Sequence, residues 1–139
     1  IGEGPERDIA KEMTKELKIP NVNFLGNTNE VEKELCYSDI FILPSKVESF
    51  GLAALEAMAS KNAIVSSNRG GLPELNLINK TGMTCDYNDI DAYVDALDKL
   101  LSDDKLLEKF KENSYNRAKK YNINDIVPMY EHEYKKLVK

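Results

Sequence analysis

The sequence predicts an α/β fold, in which helices cover both faces of a parallel β-sheet. Helical and strand-like segments alternate along the chain with short turns between them, an order typical of parallel sheets. The segment "DIFILP" (39–44) is a continuous apolar strand that Pro44 closes. Unbroken apolar strands are typical of parallel sheets, because helices bury both faces of such a sheet.

The first half of the chain is predicted to alternate regularly between helix and strand. Pro5 suits the first turn of a helix, because its missing N–H needs no acceptor there. Pro20 and Asn21 then end this helix, and Gly26 ends the strand that follows. The predicted elements are a helix over 6–17, a strand over 22–26 ("VNFLG"), a helix over 29–38 and the strand over 39–44.

The second half is predicted to be mainly helical. Asp89 is expected to cap a helix and Asp91 to lie in its first turn, so "DID" (89–91) is not interpreted as a metal-binding pair. The predicted elements are a helix over 50–60, a strand over 63–67, a turn or short helix within 68–75, an edge strand over 82–87, and helices over 89–102, 103–121 and 122–139.

Composition narrows the possible classes of protein. The length of 139 residues predicts one domain over 1–139. The net charge of -5 argues against a nucleic-acid partner, because binding to phosphates needs clustered Lys and Arg. No apolar run approaches the ~20 residues of a membrane span, and no signal peptide is found, so we expect a cytoplasmic location. Cys36 and Cys85 lack metal-site spacing, and we expect both to be buried free thiols.

The segment "ESFGLAALEA" (48–57) carries the main functional signal. It follows the strand over 39–44, and open parallel sheets bind ligands where their strands give way to helices. Gly51 stands where the next helix begins, so backbone N–H groups and the helix dipole are available to an anion such as a diphosphate. The dipole supplies only about 0.3–1 kcal/mol, or up to ~2 kcal/mol when partly buried, so a diphosphate also needs cations.

Two glutamates belong to this segment. Glu56 lies in an apolar helix that we expect to be buried on most faces, where a carboxylate needs a partner. A ribose diol would serve, and so would a Lys or a backbone N–H. Glu48 precedes the helix, whose dipole favours a carboxylate that accepts from sugar hydroxyls; the alternative is a simple N-terminal charge with Ser49 as the cap. A glycosidase pair is disfavoured unless the loop folds back, because a helical path separates them by roughly 12 Å and glycosidases need about 5–9.5 Å.

The loop "RGGLPE" (69–74) is a second candidate contact. Gly70 and Gly71 permit positive φ angles and allow backbone amides to reach a ligand. An ordinary turn is the alternative, since paired glycines are common in loops. The loop follows the strand over 63–67, so we expect it at the same edge of the sheet as "ESFG".

The pattern of Glu48 and Glu56 around "SFG", followed by "GGLPEL" (70–75), resembles the C-terminal domain of retaining GT-B glycosyltransferases of family 4. The resemblance extends from "GEGPER" to "YEHEYKKL" and implies a Rossmann-like parallel sheet, the C-terminal half of a GT-B fold. It also implies an N-terminally truncated fragment that is inactive alone. The acceptor-binding domain, and an Arg and a Lys that stabilise the leaving diphosphate, are expected upstream of residue 1.

The resemblance implies roles for individual residues. Glu48 is the expected catalytic residue and faces the donor sugar, and Glu56 binds the ribose hydroxyls. Gly26 and Asn27 fall where the family holds uracil. The expected donor-binding residues are thus Glu56, Ser49, Phe50, Gly51, Leu52, Gly26 and Asn27, with Gly70 and Gly71 as possible loop contacts.

The implied donor is a UDP-sugar, UDP-N-acetylglucosamine, and the implied acceptor is L-malate, with no metal or cofactor taking part. A homodimer is a further candidate partner arrangement for this chain. One alternative is a relative that acts on a cell-wall or polysaccharide acceptor. A second is a nucleotide-binding module without transfer activity, in which Glu48 and Glu56 contribute nothing to turnover.

Overall fold

In a computed structural model, which describes residues 1–138, the chain forms seven α-helices and three β-strands. In chain order they are α1 (Arg7–Glu16), α2 (Val31–Cys36), β1 (Ile40–Leu43), α3 (Leu52–Ala59), β2 (Ala63–Ser67), α4 (Leu72–Leu75), β3 (Gly82–Cys85), α5 (Ile90–Leu101), α6 (Asp104–Ala118) and α7 (Ile123–Leu137). A short 3-10 turn, Lys119–Tyr121, joins α6 to α7.

The three strands form one parallel sheet in the order β1-β2-β3. Phe41 lies opposite Ile64, and Val65 lies opposite Met83. The prediction that the third strand lies at an edge is confirmed. Because all strands run in the same direction, the loops that follow β1 and β2 leave the sheet at one common edge.

Helices cover both faces of this sheet. Every residue of β2 is buried, and its side chains alternate between two apolar clusters. Ile64 packs against α2, α3 and α4 on one face, with Met58 and Leu72. Ala63 and Val65 pack against α5 and α6 on the other. The predicted α/β fold, with a parallel sheet between helices, is therefore confirmed.

A buried polar network joins α4 to the two strands behind it. The Nδ2 of Asn76 donates to Ser66 Oγ at 2.9 Å and to Met83 O at 3.0 Å. The Oδ1 of the same side chain accepts from Thr81 Oγ1 at 3.0 Å. Because these groups satisfy one another inside the protein, they fix the position at which α4 ends.

The fold makes a direct stability prediction at Phe110, which is 2% exposed under α5. Changing Phe110→Ala is expected to lower the free energy of unfolding by about 3–5 kcal/mol, because the change removes buried apolar area and leaves a cavity. Urea denaturation measures the loss. Leu101→Ala is the control, since Leu101 is 64% exposed and should change stability by less than about 1 kcal/mol. Equal effects of the two changes would contradict this packing.

One predicted element is wrong. Residues 22–26 form no β-strand, because no neighbouring strand pairs along their length in the described part of the chain. The segment is tied instead by a backbone hydrogen bond from Gly2 N to Gly26 O at 2.7 Å. The first helix also ends earlier than predicted, at Glu16. Lys18, which lies between this helix end and Pro20, has a positive φ of 53°. The strand over 63–67 has the predicted bounds, and the other predicted elements are present with shorter ends. Residue 139 of the last predicted helix lies outside the described residues.

The remaining local predictions have mixed outcomes. Asp89 caps α5 as predicted, because its Oδ1 accepts from Ala92 N at 3.0 Å. Cys85 is buried as expected, and burial, helped by the charge of Asp89, raises the pKa of its thiol. The expectation for Cys36 is wrong: its side chain is exposed at the end of α2. Over residues 1–138, no helix has both the length and the apolar character that crossing a membrane requires.

Candidate functional site

Two loops meet at the carboxyl edge of the sheet. The loop over 44–51 joins β1 to α3, and the loop over 68–71 joins β2 to α4. Ser67 Oγ donates to Ser45 O at 2.7 Å, and Gly71 N donates to Ser49 O at 3.1 Å. The two candidate segments that the sequence places at this edge are therefore in direct contact.

The paired glycines allow this contact. Gly70 has a φ of +55°, and a Cβ atom there would lie 1.5 Å from the backbone oxygen of Glu48. A Cβ atom on Gly71 would lie 2.7 Å from Ser49 O. The Gly71 amide already has Ser49 O as its acceptor. The glycines thus shape the loop that carries Glu48, and this structural role requires no ligand contact.

The N-terminus of α3 has no side-chain cap. Gly51 is the N-cap residue, with a φ of 94°, and a Cβ atom there would lie 2.7 Å from Leu72 Cδ2. The alternative in which Ser49 caps this helix is wrong, because no side chain accepts from its first amides. The first N–H groups of a helix lack acceptors within it, and the first turn of α3 carries no acidic residue. This helix end is therefore suited to an anion.

Glu48 lies beside this helix end and is partly exposed. Its Oε1 atom accepts from Ser49 N at 3.0 Å, which orients the carboxylate within the loop. Helix α3 covers only the segment from Leu52 onward. The path from Glu48 to Glu56 is therefore half loop and half helix. The separation of roughly 12 Å expected from the sequence assumed a helix along the whole path.

Glu56 is exposed, and this corrects the expectation that α3 is buried on most faces. Ala54, Ala57 and Met58 are buried, whereas Leu52 and Glu56 face outward. Only one face of α3 is therefore packed, and the small residues Ala53 and Ala59 are exposed. Residues four apart lie on the same side of a helix, so Glu56 stands about 6 Å along the axis from the first turn.

A cavity of about 390 Å³ lies next to Glu56, between α2 and α3. Its lining includes Asn29, Glu32 and Leu35 from the α2 side and Ser60 from the end of α3. Sequence reasoning missed Asn29, since nothing local distinguishes it from other loop polar residues. Glu56 thus stands between this cavity and the helix N-terminus.

The two residues predicted to hold a base, Gly26 and Asn27, do not line the cavity beside Glu56. Gly26 is buried and lines a separate cavity of about 500 Å³, formed with residues 1–7. Asn27 is exposed and is not among the residues that line the cavity beside Glu56. Asn29 is the residue of this connection that reaches that cavity.

Two cations near the site already have partners. Arg69 Nη2 lies 3.4 Å from Asp86 Oδ2, with its guanidinium over the ring of Tyr87. Lys61 Nζ lies 3.4 Å from Glu112 Oε2. Within residues 1–138, no group of three or more His, Cys, Asp or Glu side chains is arranged to hold a metal ion. Metal independence stays a prediction.

Comparison with known proteins identifies the class. The family described as "Glycosyl transferases group 1" matches residues 1–117. The structure superposes on sucrose-phosphate synthase from Thermosynechococcus elongatus with a TM-score of 0.88 and 25% identity, covering 97% of this chain and 35% of that one. The parallel sheet and its helices match the C-terminal Rossmann-like domain of GT-B enzymes. The chain belongs to the group 1 glycosyltransferases.

Two curated relatives are similar in sequence. N-acetyl-alpha-D-glucosaminyl L-malate synthase from Bacillus anthracis is 35% identical, with 94% of this chain and 35% of the relative covered. D-inositol 3-phosphate glycosyltransferase from Corynebacterium urealyticum is 37% identical, with 86% and 29% covered. The chain spans about a third of the length of these relatives.

Proposed function

We propose that this chain binds the nucleotide-sugar donor of a retaining glycosyltransferase. The observation that carries the proposal is the uncapped N-terminus of α3, with Glu48 beside it and Glu56 one turn further along the same helix. A nucleoside diphosphate sugar presents an anion between two groups that carry hydroxyls, the ribose and the sugar. The N–H groups at the helix end donate to the diphosphate, Glu56 accepts hydrogen bonds from the ribose hydroxyls, and Glu48 accepts them from the sugar hydroxyls.

The base would occupy the cavity beside Glu56. Its volume of about 390 Å³ falls in the usual range for small-molecule sites. Asn29 supplies an amide that can both donate and accept at the edge of a base. We therefore assign Asn29, in place of Gly26 and Asn27, to the base.

Catalysis would depend on stabilising charge on the leaving diphosphate, without a metal ion. The helix end contributes about 0.3–1 kcal/mol, or up to ~2 kcal/mol when partly buried. Arg69 and Lys61 are paired elsewhere. The family resemblance assigns the remaining stabilisation to an Arg and a Lys in another part of the complete protein.

The donor we propose is UDP-N-acetylglucosamine and the acceptor L-malate, in a cytoplasmic enzyme. The support is the relative from Bacillus anthracis, whose name states the synthesis of N-acetyl-alpha-D-glucosaminyl L-malate. The relative from Corynebacterium urealyticum is named for D-inositol 3-phosphate, so a different acceptor is the second candidate. Product formation by the complete protein with L-malate and with D-inositol 3-phosphate separates the two. No product with L-malate would exclude the first candidate.

Changing Glu56→Ala is expected to weaken binding of UDP by about tenfold or more, because a carboxylate that accepts from hydroxyls contributes about 1.5–3 kcal/mol. Calorimetry of the complete protein with UDP, with and without Mg²⁺, measures the change, and ADP tests selectivity for the base. The melting temperature should not fall, because Glu56 is exposed.

The control for this change is Glu12→Ala, since Glu12 is exposed on α1. It should leave the affinity for UDP unchanged. Equal affinities of Glu56→Ala and the unaltered protein would exclude Glu56 from the ribose site. A complete protein that binds neither UDP nor UDP-N-acetylglucosamine would contradict the proposed function.

A further inference from the structure

Arg117, at the end of α6, donates hydrogen bonds to two groups that neighbour the site loops. Its Nη2 atom donates to the backbone oxygen of Glu74 in α4 at 2.7 Å and to Tyr121 Oη at 2.8 Å. The guanidinium also lies over the ring of Tyr121, 5.2 Å from its centroid. One side chain thus joins α4, which follows the glycine loop, to the turn after α6.

Tyr121 extends this connection to the loop that carries Glu48. Its ring meets the ring of Phe50 edge to face, with centroids 5.7 Å apart and an interplanar angle of 73°. Phe50 stands directly before Gly51, the N-cap residue of α3. The Phe50 side chain is 40% exposed, and the Tyr121 ring packs against it. Edge-to-face aromatic pairs favour a defined ring orientation.

The connection therefore runs from α4 through Arg117 and Tyr121 to Phe50. The glycine loop before α4 also contacts the 48–51 loop directly, because Gly71 N donates to Ser49 O. The loop over 48–51 is thus held by a backbone hydrogen bond at Ser49 and by the Tyr121 ring at Phe50. The Nε of Arg117 is buried and has no hydrogen-bond partner within the described residues. Burying this N–H without an acceptor costs free energy. The same side-chain position places Nη2 between its two acceptors, Glu74 O and Tyr121 Oη.

We propose that Arg117 and Tyr121 are positioning residues that hold the 48–51 loop and α4 in the geometry that binds the donor diphosphate. The inference rests on the proposed function, because it states that these two residues affect the affinity for the nucleotide-sugar donor. The proposal gives neither residue a direct contact with the donor. Their effect passes through Phe50 and the backbone of Glu74.

The test compares Arg117→Gln with Arg117→Lys in the complete protein. Arg117→Gln is expected to raise the dissociation constant of UDP and the KM for the nucleotide sugar by about tenfold, the scale of one charge-assisted hydrogen bond. Arg117→Lys should recover part of this loss, because both hydrogen bonds come from the single nitrogen Nη2, and an ammonium keeps the charge and the donors but lies one bond closer to the backbone. Lys120→Gln, an exposed change in the same turn, is the control.

Tyr121→Phe tests the second part of the connection. It removes the hydroxyl that accepts from Arg117 but keeps the ring against Phe50, so the dissociation constant of UDP should rise by less than about threefold. Tyr121→Ala removes both contacts and should match Arg117→Gln. A larger effect of Tyr121→Phe than of Tyr121→Ala would overturn the role of the ring contact.

Hydrogen exchange of the amides over 48–51 and 72–75 gives a readout that needs no ligand. Arg117→Gln should speed exchange in both segments while melting stays within a few degrees of the unaltered protein. A lower melting temperature with unchanged UDP affinity and unchanged exchange would show a merely structural role and overturn the proposal. If the unaltered protein binds no UDP, the proposed function fails, and the exchange rates alone then decide whether Arg117 holds the two segments.

Discussion

Replacing Glu48 with glutamine is expected to lower kcat/KM for the nucleotide sugar by about 10²–10³-fold, the scale of removing one preorganised group from a transition state. Glu48 is fixed by the hydrogen bond from Ser49 N to its Oε1 atom. Glutamine keeps the size of the side chain and one oxygen, but it loses the charge that strengthens hydrogen bonds from sugar hydroxyls. Steady-state kinetics of the complete protein, with the acceptor that supports turnover, measures the loss.

The affinity for UDP separates this effect from misfolding. UDP lacks the sugar, so Glu48→Gln should bind it within about threefold of the unaltered protein, because the hydrogen bonds to sugar hydroxyls are absent in both. Glu12→Gln, an exposed change on α1, should leave turnover unchanged. Full turnover in Glu48→Gln would exclude a catalytic role and favour the simple N-terminal charge. Full turnover in both Glu48→Gln and Glu56→Ala would favour a nucleotide-binding module without transfer activity.

Replacing Gly70 with alanine should affect both stability and turnover. The new Cβ atom would lie 1.5 Å from Glu48 O, so one of the two loops must move. The φ of +55° adds a further cost of about 1–2 kcal/mol for a residue with a side chain. We expect the free energy of unfolding to fall by at least that amount, and kcat/KM to fall with it, because the loop that moves carries Glu48.

Gly4→Ala is the matched control for this change. A Cβ atom on Gly4 would meet nothing within 4 Å, so both stability and turnover should be retained. Urea denaturation and kinetics of the two variants give the comparison. If Gly70→Ala kept its stability and its turnover, the close approach of the two loops would be absent in solution.

The local elements were predictable because their signals lie within a few residues. The apolar run of β1, and the capping of α5 by Asp89, are recognised without knowledge of the tertiary structure. The meeting of the 48–51 and 69–74 loops was also predictable. Parallel strands that are neighbours place their following loops at one edge, whichever side chains they carry.

The errors arise where distant parts of the chain decide the outcome. Residues 22–26 have strand composition, but a strand needs a partner, and among residues 1–138 no strand pairs with this segment, which is tied by the hydrogen bond from Gly2 N to Gly26 O. Glu56 was expected to be buried because the small residues around it suit a packed helix. Which faces of α3 pack depends on where α2 and α6 lie, and these leave the face of Glu56 open.

By itself, the sequence determined the α/β fold, the order of most elements and the segment that carries Glu48, Gly51 and Glu56. Only the tertiary structure decided that Glu56 faces a cavity with Asn29, and that Arg117 joins α4 to the turn after α6. The physical reason is the range of the interactions. Helix caps and apolar runs act over a few residues, whereas the exposure of a side chain and its contacts depend on segments that folding brings together from far along the chain.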